Sequence, residues 1–387
     1  MGKIKVGIIG VGGMGSGHAA IIRQLPNAEL VAVCDVDPQA LAQFKGFPSI
    51  RCFTDSEDFF AQSGVRAVLI ATPHFFHHSL AVRALDSNMH VLVEKPIAVH
   101  KLLAQELVDG VARHPELICS AMFNQRTIPA HRKIKSLLDS GELGEIKRIS
   151  WTITDWFRTQ TYYDSGDWRA SYRGEGGGVL LNQCPHQLDL LQWFFGMPQR
   201  ISAHAYFGKY HDIEVEDEVT AFLEYPTGAT GVFIASTGEA PGSNRLEING
   251  DRGKLIFEKN EISFERTEKS VDEICRTSPK RFDAPECWHI KIPAGAGAEC
   301  QHRNIIANFL AAIAGEAELI APAVEGIRQL EIGNAMILSA WLGKAVELPL
   351  DVQTYAQMLE ERIGKSRYRK RIVPIDANED FSASFAK

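Results

Sequence analysis

A glycine-rich turn between a predicted strand and a predicted helix constrains this chain more than any other feature of its sequence. Residues 3–9 (KIKVGII) predict a short strand, and residues 15–25 predict a helix. Between them lies GVGGMG, with Gly10, Gly12 and Gly15 in the G-x-G-x-x-G spacing. The first glycine permits a tight turn, the second lets the backbone approach a pyrophosphate, and the third lets the helix pack close to the sheet. The pattern predicts a dinucleotide-binding unit whose cofactor contacts are Gly10, Gly12, Gly13, Met14 and Gly15.

An acidic residue follows this unit at the position that contacts the ribose of a dinucleotide. Residues 30–34 (LVAVC) predict a second strand, which ends at Asp35, about 20 residues after the last glycine. A carboxylate there accepts hydrogen bonds from the ribose hydroxyls and repels a 2′-phosphate. No Arg or Lys follows before Lys45, so the sequence offers no cation for that phosphate. We therefore expect NAD as the cofactor, in preference to NADP.

Strands and helices continue to alternate, which is typical of a parallel, doubly wound α/β sheet. Further strands are predicted over residues 67–71, 90–93 and 118–122, with a helix over 78–87 between the first two. In such sheets the ligand binds outside the carboxyl ends of the strands. The residues at or just beyond these ends are therefore expected to surround the cofactor: Asp35, Thr72, Pro73, His77, Glu94, Lys95 and Asn124.

Length and composition limit the remaining possibilities. A chain of 387 residues is too long for one core, so two domains are expected, over residues 1–124 and 125–387. The net charge of −7 disfavours nucleic acid as the main partner. No apolar stretch reaches the ~20 residues that cross a bilayer, and the N-terminus lacks a signal-peptide pattern, so we expect a cytoplasmic protein without a membrane partner. The seven cysteines are scattered without a C-x-x-C pair, and the spacing around His289 and His302 fits no zinc site, so no metal is predicted.

Lys95 ends a predicted strand in the triplet Glu94-Lys95-Pro96. The lysine would bring a cation to the mouth of the cofactor cleft, where partial burial would lower its pKa. Such a group can orient a substrate hydroxyl or take part in proton transfer. A surface lysine paired with Glu94 is an equally good interpretation of the triplet alone.

Residues 174–189 (GEGGGVLLNQCPHQLD) supply a second candidate region. Their glycines would let the backbone lie close against a flat ligand such as a nicotinamide or a sugar. Asn182 and His186 follow at the mouth of a helix predicted over residues 188–195, with Pro185 in its first turn. His186 can accept a proton near neutral pH, and Asn182 can hold a hydroxyl. A capping or core role for His186 is the alternative.

The chain resembles the glucose–fructose oxidoreductase/inositol dehydrogenase family (Gfo/Idh/MocA) in GVGGMGSGH, ATPHFFHHSLAVRAL, VLVEKP and GGGVLLNQCPHQLDL. The resemblance covers nearly the whole chain. It implies an N-terminal Rossmann domain and a C-terminal α/β domain with a large, open, mostly antiparallel sheet, through which a homodimer or homotetramer associates. It also implies oxidation of a secondary alcohol on a sugar or cyclic polyol, or the reverse. The family lysine falls on Lys95 and the family histidine on His186. Many members carry an aspartate where this chain has Asn182. The proton chemistry is therefore expected to depend more on Lys95 and His186.

Residues 151–172 (WTITDWFRTQTYYDSGDWRASY) combine aromatic and charged side chains. Aromatic faces supply contact area for a sugar ring, while a few carboxylate and guanidinium groups orient its hydroxyls. Trp168 and Arg169 also resemble a residue pair that lies near the cofactor in related enzymes. Substrate contacts are therefore predicted at Asp155, Tyr163, Trp168, Arg169 and Asn182. Core or subunit-interface positions are the alternative for about half of the aromatic residues.

The leading interpretation is an NAD-dependent dehydrogenase acting on a ring hydroxyl of a sugar, a glycoside or a cyclic polyol such as inositol. The aromatic segment favours a glycoside, with C3 as the candidate carbon and a 3-keto sugar as the product. One alternative is an NAD-dependent glycosidase that oxidises, eliminates, adds water and reduces back, which would cleave glycosides without net NADH. Another is a non-catalytic nucleotide-binding sensor, which the presence of both Lys95 and His186 disfavours.

Overall fold

Six short apolar strands open the chain and pair in parallel in the computed structural model, which describes residues 2–295 and 301–373. They are Ile4–Ile9 (β1), Ala28–Cys34 (β2), Arg51–Phe53 (β3), Ala67–Ile70 (β4), His90–Val93 (β5) and Cys119–Ala121 (β6). Their spatial order is β3-β2-β1-β4-β5-β6, so the strand order reverses between β1 and β4. Every residue of β4 and β5 is buried, as expected for central strands covered on both faces. The predicted doubly wound sheet is confirmed.

Five helices alternate with these strands. They are Gly13–Gln24 (α1), Pro38–Leu41 (α2), Ser56–Gln62 (α3), His77–Asp86 (α4) and Lys101–Arg113 (α5). α1 begins two residues earlier than the sequence predicts, because the glycine turn itself supplies its first residues.

The second sheet contains the nine remaining strands of the described residues. They are Ile146–Ile153 (β7), Arg200–Phe207 (β8), Glu216–Glu224 (β9), Thr230–Ser236 (β10), Asn244–Gly250 (β11), Gly253–Glu258 (β12), Glu261–Thr267 (β13), Cys287–Ile292 (β14) and Val346–Glu347 (β15). Their order is β14-β13-β12-β11-β7-β10-β9-β8-β15, and β7 with β10 is the one parallel pair. The open, mostly antiparallel sheet that the resemblance implies is therefore confirmed.

Helices cover one face of this second sheet. The helices of this half of the chain are Pro129–Asp139 (α6), Gln160–Asp164 (α7), Val179–Asn182 (α8), Pro185–Phe195 (α9), Val271–Thr277 (α10), Gln301–Ile313 (α11), Gly326–Leu342 (α12) and Val352–Lys365 (α13). α9 and α12 pack against each other, and α12 packs on β8. Residues alternate between buried and exposed along β8 and β9, so the other face carries exposed apolar side chains, including Tyr206 and Phe222 at 50% and 42% exposure.

Residues from late in the chain complete the core of the first domain. Ile305, Phe309 and Leu310 of α11 are buried in the same apolar cluster as the first sheet. The backbone N–H of Ala121 donates to the carbonyl oxygen of Ala321 at 2.9 Å. The first core thus includes α11, a helix far beyond residue 124, and the segment at residue 321 pairs with the edge strand β6.

Candidate active site

The turn between β1 and α1 brings five predicted cofactor contacts together. Gly10 has φ +87°, and a Cβ there would lie 2.5 Å from a backbone carbonyl oxygen beyond β4, so the turn requires glycine. A Cβ on Gly15 would lie 1.9 Å from the Gly10 carbonyl oxygen, whereas one on Gly12 would meet no atom within 4 Å. No side chain of the described residues caps α1, so its first amide groups, at Gly13 and Met14, are available to an anion.

Asp35 lies beside this turn, directly after β2. Its carboxylate accepts hydrogen bonds from the N–H groups of Val11 at 2.8 Å and Asp37 at 3.0 Å. A carboxylate offers about four acceptor positions, so two remain for ribose hydroxyls. The next residue, Val36, is 87% exposed. Val36 is not among the predicted contacts, although an apolar residue directly after the acid is a usable signal for a surface that adenine can cover.

Three polar side chains lie just beyond the ends of β4, β5 and β6, at one edge of the sheet: Thr72, Glu94 and Asn124. Thr72 Oγ1 and Asn124 Oδ1 are buried and have no hydrogen-bond partner among the described residues. Pro73 begins the short helical turn that follows Thr72. Buried polar atoms of this kind normally have partners, so Thr72 and Asn124 are candidates for ligand contacts.

His77, a predicted cofactor contact, is buried behind this edge. Its Nδ1 lies 2.7 Å from the carbonyl oxygen of Pro96, and its Nε2 lies 2.6 Å from that of Thr72. Burial lowers the pKa of His77, while these two carbonyl groups raise it. Because both ring nitrogens face backbone oxygens, the structure gives His77 the role of bracing the chain after β4 and β5.

Glu94 is held by His18, which was not among the predicted site residues. His18 Nε2 lies 2.6 Å from one carboxylate oxygen of Glu94, and the other accepts the backbone N–H of Lys95 at 3.1 Å. Burial alone would raise the pKa of Glu94, but the hydrogen bond and charge of His18 lower it to about 2. One carboxylate oxygen of Glu94 is therefore held by His18, and the other fixes the Lys95 backbone. The stretch GSGH is the sequence signal for this contact, because it places His18 about one turn into α1.

Lys95, Asn182 and His186 come together across the two domains. Lys95 Nζ donates to the backbone carbonyl oxygen of Asn182 at 2.9 Å, so Lys95 does not pair with Glu94 at the surface. Burial lowers the pKa of Lys95. Burial and then the charge of Lys95 hold the pKa of His186 well below its ordinary value. His186 Nδ1 is buried without a partner among the described residues. Lys95 thus lies near an imidazole whose protonated form is disfavoured by burial and by the lysine.

Asn182 and His186 do not lie on one helix. Asn182 is the last residue of α8, and Pro185 begins α9, with a break at Gln183 and Cys184. The break places the Asn182 carbonyl at a helix end, where it has no partner within the helix and can accept from Lys95.

Another histidine from late in the chain closes this end of the cleft. His302, in the first turn of α11, lies 3.2 Å from Asn124 Nδ2, and its ring centroid lies 5.5 Å from that of His18. Burial lowers the pKa of His302 to about 4. His302 was not among the predicted site residues, and the structure places it beside Asn124.

The aromatic segment contributes a stacked group of side chains. The Arg169 guanidinium lies 4.3 Å from the ring centroid of Trp168 and 4.6 Å from that of Tyr162, and it donates to the Tyr162 hydroxyl at 3.0 Å. Trp168 also packs on His74, at 4.9 Å between centroids. Tyr163 points the other way: it is 1% exposed, and its hydroxyl lies 2.9 Å from Thr237 Oγ1. The tyrosine that belongs to this group is therefore Tyr162, not Tyr163.

Asp155 and Lys95 both act on the buried Cys184 thiol, which lies between α8 and α9. Burial raises the pKa of the Cys184 thiol, the charge of Asp155 raises it further, and Lys95 opposes them. The structure therefore brings Asp155 into electrostatic range of the residues around α8 and α9.

The glycines of residues 174–178 approach protein rather than a ligand. A Cβ on Gly174 would lie 2.2 Å from the Trp168 carbonyl oxygen, and one on Gly178 would lie 2.0 Å from that of Glu216. The Glu216 carboxylate in turn accepts from the backbone N–H of Gly178 at 2.9 Å and holds the start of α8. Burial raises the pKa of Glu216 to about 7. The expectation that these glycines lie against a nicotinamide or sugar is wrong for Gly174 and Gly178.

The described residues contain no group of three or more His, Cys, Asp or Glu side chains that could hold a metal ion. Cys300 lies outside the described residues. Within residues 2–295 and 301–373, no helix is long and apolar enough to span a membrane.

A Rossmann sheet with a lysine and a histidine meeting at its carboxyl edge, backed by an open nine-stranded sheet, defines a two-domain dehydrogenase. The model of an oxidoreductase family with an NAD-binding Rossmann fold matches residues 4–122, and that of the GFO/IDH/MocA C-terminal domain matches residues 131–256. The chain belongs to this family and is an NAD-binding oxidoreductase. The resemblance and the NAD cofactor are confirmed.

Named relatives extend the comparison. The chain is 30% identical to a 1-carboxy-3-chloro-3,4-dihydroxycyclohexa-1,5-diene dehydrogenase of Comamonas testosteroni, over 70% of this chain and 67% of that one. It is 28% identical to a trans-1,2-dihydrobenzene-1,2-diol dehydrogenase of Bos taurus, over 65% and 72%. Among solved structures, the WlbA dehydrogenase of Chromobacterium violaceum, in complex with NADH and UDP-GlcNAcA, is 27% identical with a TM-score of 0.78, over 90% of this chain and 97% of that one.

Proposed function

We propose that this chain oxidises a secondary hydroxyl on the ring of a sugar, glycoside or cyclic polyol, with hydride transfer to NAD and with Lys95 and His186 handling the proton. The observation that carries the proposal is the Lys95–His186 pair at the carboxyl edge of the cofactor sheet, with His186 Nδ1 buried and unpartnered among the described residues. Perturbed titratable pairs in a cleft are typical of acid–base sites.

The cofactor fits the turn after β1. Gly12 faces open space and the uncapped start of α1 lies next to it, which suits a pyrophosphate. Thr72 Oγ1 supplies a further unpartnered polar atom at the same edge. When bound there, NAD supplies the acceptor for the hydride. The Asp35 carboxylate favours NAD over NADP, because its charge repels a 2′-phosphate.

The chain's own residues then handle the hydroxyl proton. His186 is neutral because its pKa is held low by burial and by Lys95, so it can accept a proton that an imidazolium could not. Lys95 uses one bond on the Asn182 carbonyl oxygen and has further N–H donors for the substrate oxygen. A cation at that oxygen stabilises the alkoxide charge that develops as the hydride leaves.

The substrate side of the site favours a ring with several hydroxyls. Trp168 and Tyr162 offer aromatic surface, while Arg169, Asn182 and Asp155 offer polar contacts around it. The named relatives include two ring-diol dehydrogenases and an enzyme solved with a nucleotide sugar acid. These observations support a ring alcohol. Oxidation of a glycoside at C3 to a 3-keto sugar is the specific form that we propose to test.

The test is to follow NADH absorbance with NAD and a panel of inositols, free sugars, glucosides and ring diols. We expect NADH formation with one group, a loss of kcat of about 100-fold or more in Lys95→Met and His186→Ala, and unchanged NAD affinity in His186→Ala. His114→Ala, at an exposed pair with Asp86, is the matched control and should behave as wild type. Near-normal turnover in His186→Ala would refute the assignment. Glycoside cleavage without net NADH would instead support the internal redox cycle.

A further inference from the structure

A buried carboxylate just before the glycine run connects the two sides of the proposed site. Glu175 is 1% exposed. One of its carboxylate oxygens accepts the backbone N–H of Ala170 at 2.7 Å, and the other accepts a short hydrogen bond from Asn182 Nδ2. Its backbone carbonyl oxygen accepts from His74 Nδ1 at 3.1 Å. The acid–base chemistry proposed above does not use this group.

We infer that Glu175 is a positioning residue of the hydride-transfer site: its carboxylate aims Arg169, through Ala170, and fixes the amide of Asn182. The inference rests on the function proposed above. It concerns a residue that contacts neither of the proposed proton carriers directly, so its effect must pass through Asn182 and Arg169.

The bond to Ala170 holds a strained turn. Ala170 is fully buried and has φ +69°, a left-handed conformation that a residue with a Cβ seldom adopts. It directly follows Trp168 and Arg169, whose guanidinium stacks on the indole. If Glu175 no longer accepted from Ala170, the N–H would be left buried without a partner, and the turn would be free to relax. The direction of the Arg169 side chain depends on that turn.

The bond to Asn182 fixes which end of its amide faces the cleft. An ionised carboxylate can only accept, so the amide must present Nδ2 to Glu175, and Oδ1 must point away from it. The hydroxyl of Tyr162 lies 3.3 Å from the same Nδ2. The backbone carbonyl oxygen of Asn182 meanwhile accepts from Lys95 Nζ. Asn182 is therefore held by Glu175 on one side and holds the lysine on the other.

Other charges surround Glu175 without replacing it. Burial raises the pKa of the Glu175 carboxyl, and the charge of Arg169 and the Asn182 hydrogen bond lower it. Lys370 also acts on it through its charge, but its ammonium donates to the Tyr163 carbonyl oxygen. Among the described residues, Glu175 alone accepts from both Ala170 and Asn182.

Exchanging the carboxylate and the amide tests the inference. Glu175→Gln has one acceptor for two donors, so the Asn182 amide must rotate and present Nδ2 to the cleft. Asn182→Asp places two carboxylates in contact, which disfavours their ionised forms. In the double variant, the introduced glutamine would accept from the Ala170 N–H and donate to the introduced aspartate, so both hydrogen bonds are restored.

We expect each single variant to lose about tenfold or more in kcat/KM for the ring alcohol, and the double variant to recover most of it. Glu214→Gln is the control: the Glu214 carboxylate accepts the Tyr172 N–H in the same segment at 3.1 Å, while its backbone N–H, which the substitution retains, donates to the Ala170 carbonyl oxygen at 3.0 Å. This control variant should leave kcat/KM nearly unchanged. A double variant no better than Asn182→Asp would overturn the inference.

Thermal unfolding of the wild type, the two single variants and the double variant separates this inference from the proposed function. Recovery of Tm in the double variant reports the exchanged pair without any substrate, and additive losses of Tm would overturn the pairing. Failure of the proposed function would appear differently, as no NADH formation by the wild-type protein with any ring alcohol while the coupling in Tm persists.

Discussion

Substituting alanine at two glycines of one turn should separate cofactor binding from folding. Gly12 and Gly15 both belong to the G-x-G-x-x-G pattern, but the structure gives them different neighbours. A Cβ on Gly12 would meet no atom within 4 Å, whereas one on Gly15 would lie 1.9 Å from the Gly10 carbonyl oxygen. Gly12→Ala should therefore affect what binds above the turn, and Gly15→Ala should affect the packing of α1 on the sheet.

The size of each effect follows from these contacts. A carbon and a carbonyl oxygen ordinarily approach to about 3.3 Å, so α1 must shift by more than ~1 Å in Gly15→Ala. Overpacking of this kind costs about 1–3 kcal/mol. Gly12→Ala loses a preferred N-cap residue but restricts the unfolded chain, and these opposing terms leave a net change within ~1 kcal/mol. Its methyl group would occupy the space of a pyrophosphate oxygen and should weaken NAD binding about tenfold or more, or ~1.4 kcal/mol.

Thermal unfolding and an NAD titration measure the two effects. Gly12→Ala should unfold within about 3 °C of the wild type and bind NAD weakly, while Gly15→Ala should unfold several degrees lower. Gly17→Ala is the control, because Gly17 lies in α1 with nothing within 4 Å of its added Cβ. It should stabilise the helix slightly and leave NAD affinity unchanged. If Gly12→Ala binds NAD as tightly as the wild type, the pyrophosphate does not lie on this turn.

Three further outcomes are expected. The wild type should have a much higher kcat/KM with NAD than with NADP, and Asp35→Asn should narrow the ratio; comparable efficiencies in the wild type would contradict the role of Asp35. Glu94 has a folded pKa of about 2 against an ordinary 4.5, so its stabilisation is present above pH 4.5 and is lost as the pH falls towards 2. Glu94→Gln should therefore lower the free energy of unfolding by roughly 3 kcal/mol at pH 7 and by much less near pH 2, as measured by denaturant titration. An equal loss at the two pH values would refute the assignment of this stabilisation to the ionised Glu94 carboxylate. We also propose a homodimer or homotetramer that associates through the open sheet face, so Phe222→Asp should reduce the mass measured by light scattering; an unchanged mass would exclude that face.

Local patterns made much of the cofactor side predictable. The tight turn, the close helix and the acid after β2 are each required within the first 35 residues, so their spacing is visible in the sequence. Lys95 was found for a similar reason, because the strand and the following proline fix its place at the sheet edge. Its surroundings were not predictable, since the Asn182 carbonyl that receives its ammonium lies 87 residues away.

The predictions of site residues failed where two adjacent residues have the same side chain, or where the contacting residue is distant in the sequence. Tyr162 and Tyr163 are adjacent tyrosines, and only the turn of α7 decides that Tyr163 enters the core. His18 contacts Glu94 76 residues later, and His302 reaches Asn124 across 178 residues. The glycine run permitted close approach, as expected, but at Gly174 and Gly178 the approach is to the protein's own backbone. Sequence spacing carries no information on which surface a bare backbone approaches.

The class of this protein could be read from its residues alone: a glycine turn of the dinucleotide-binding type, an acid after β2, a doubly wound sheet, and a lysine and a histidine to which we assign the proposed proton transfer. These follow from local backbone geometry and from the side chains themselves. The folded molecule decides which of these groups contact one another. It also decides which side chains hold the backbone in place and which remain available to a ligand. Burial and long-range contacts set those outcomes, because a neutral His186, a bound Glu94 and a strained Ala170 exist only when distant segments exclude water from them.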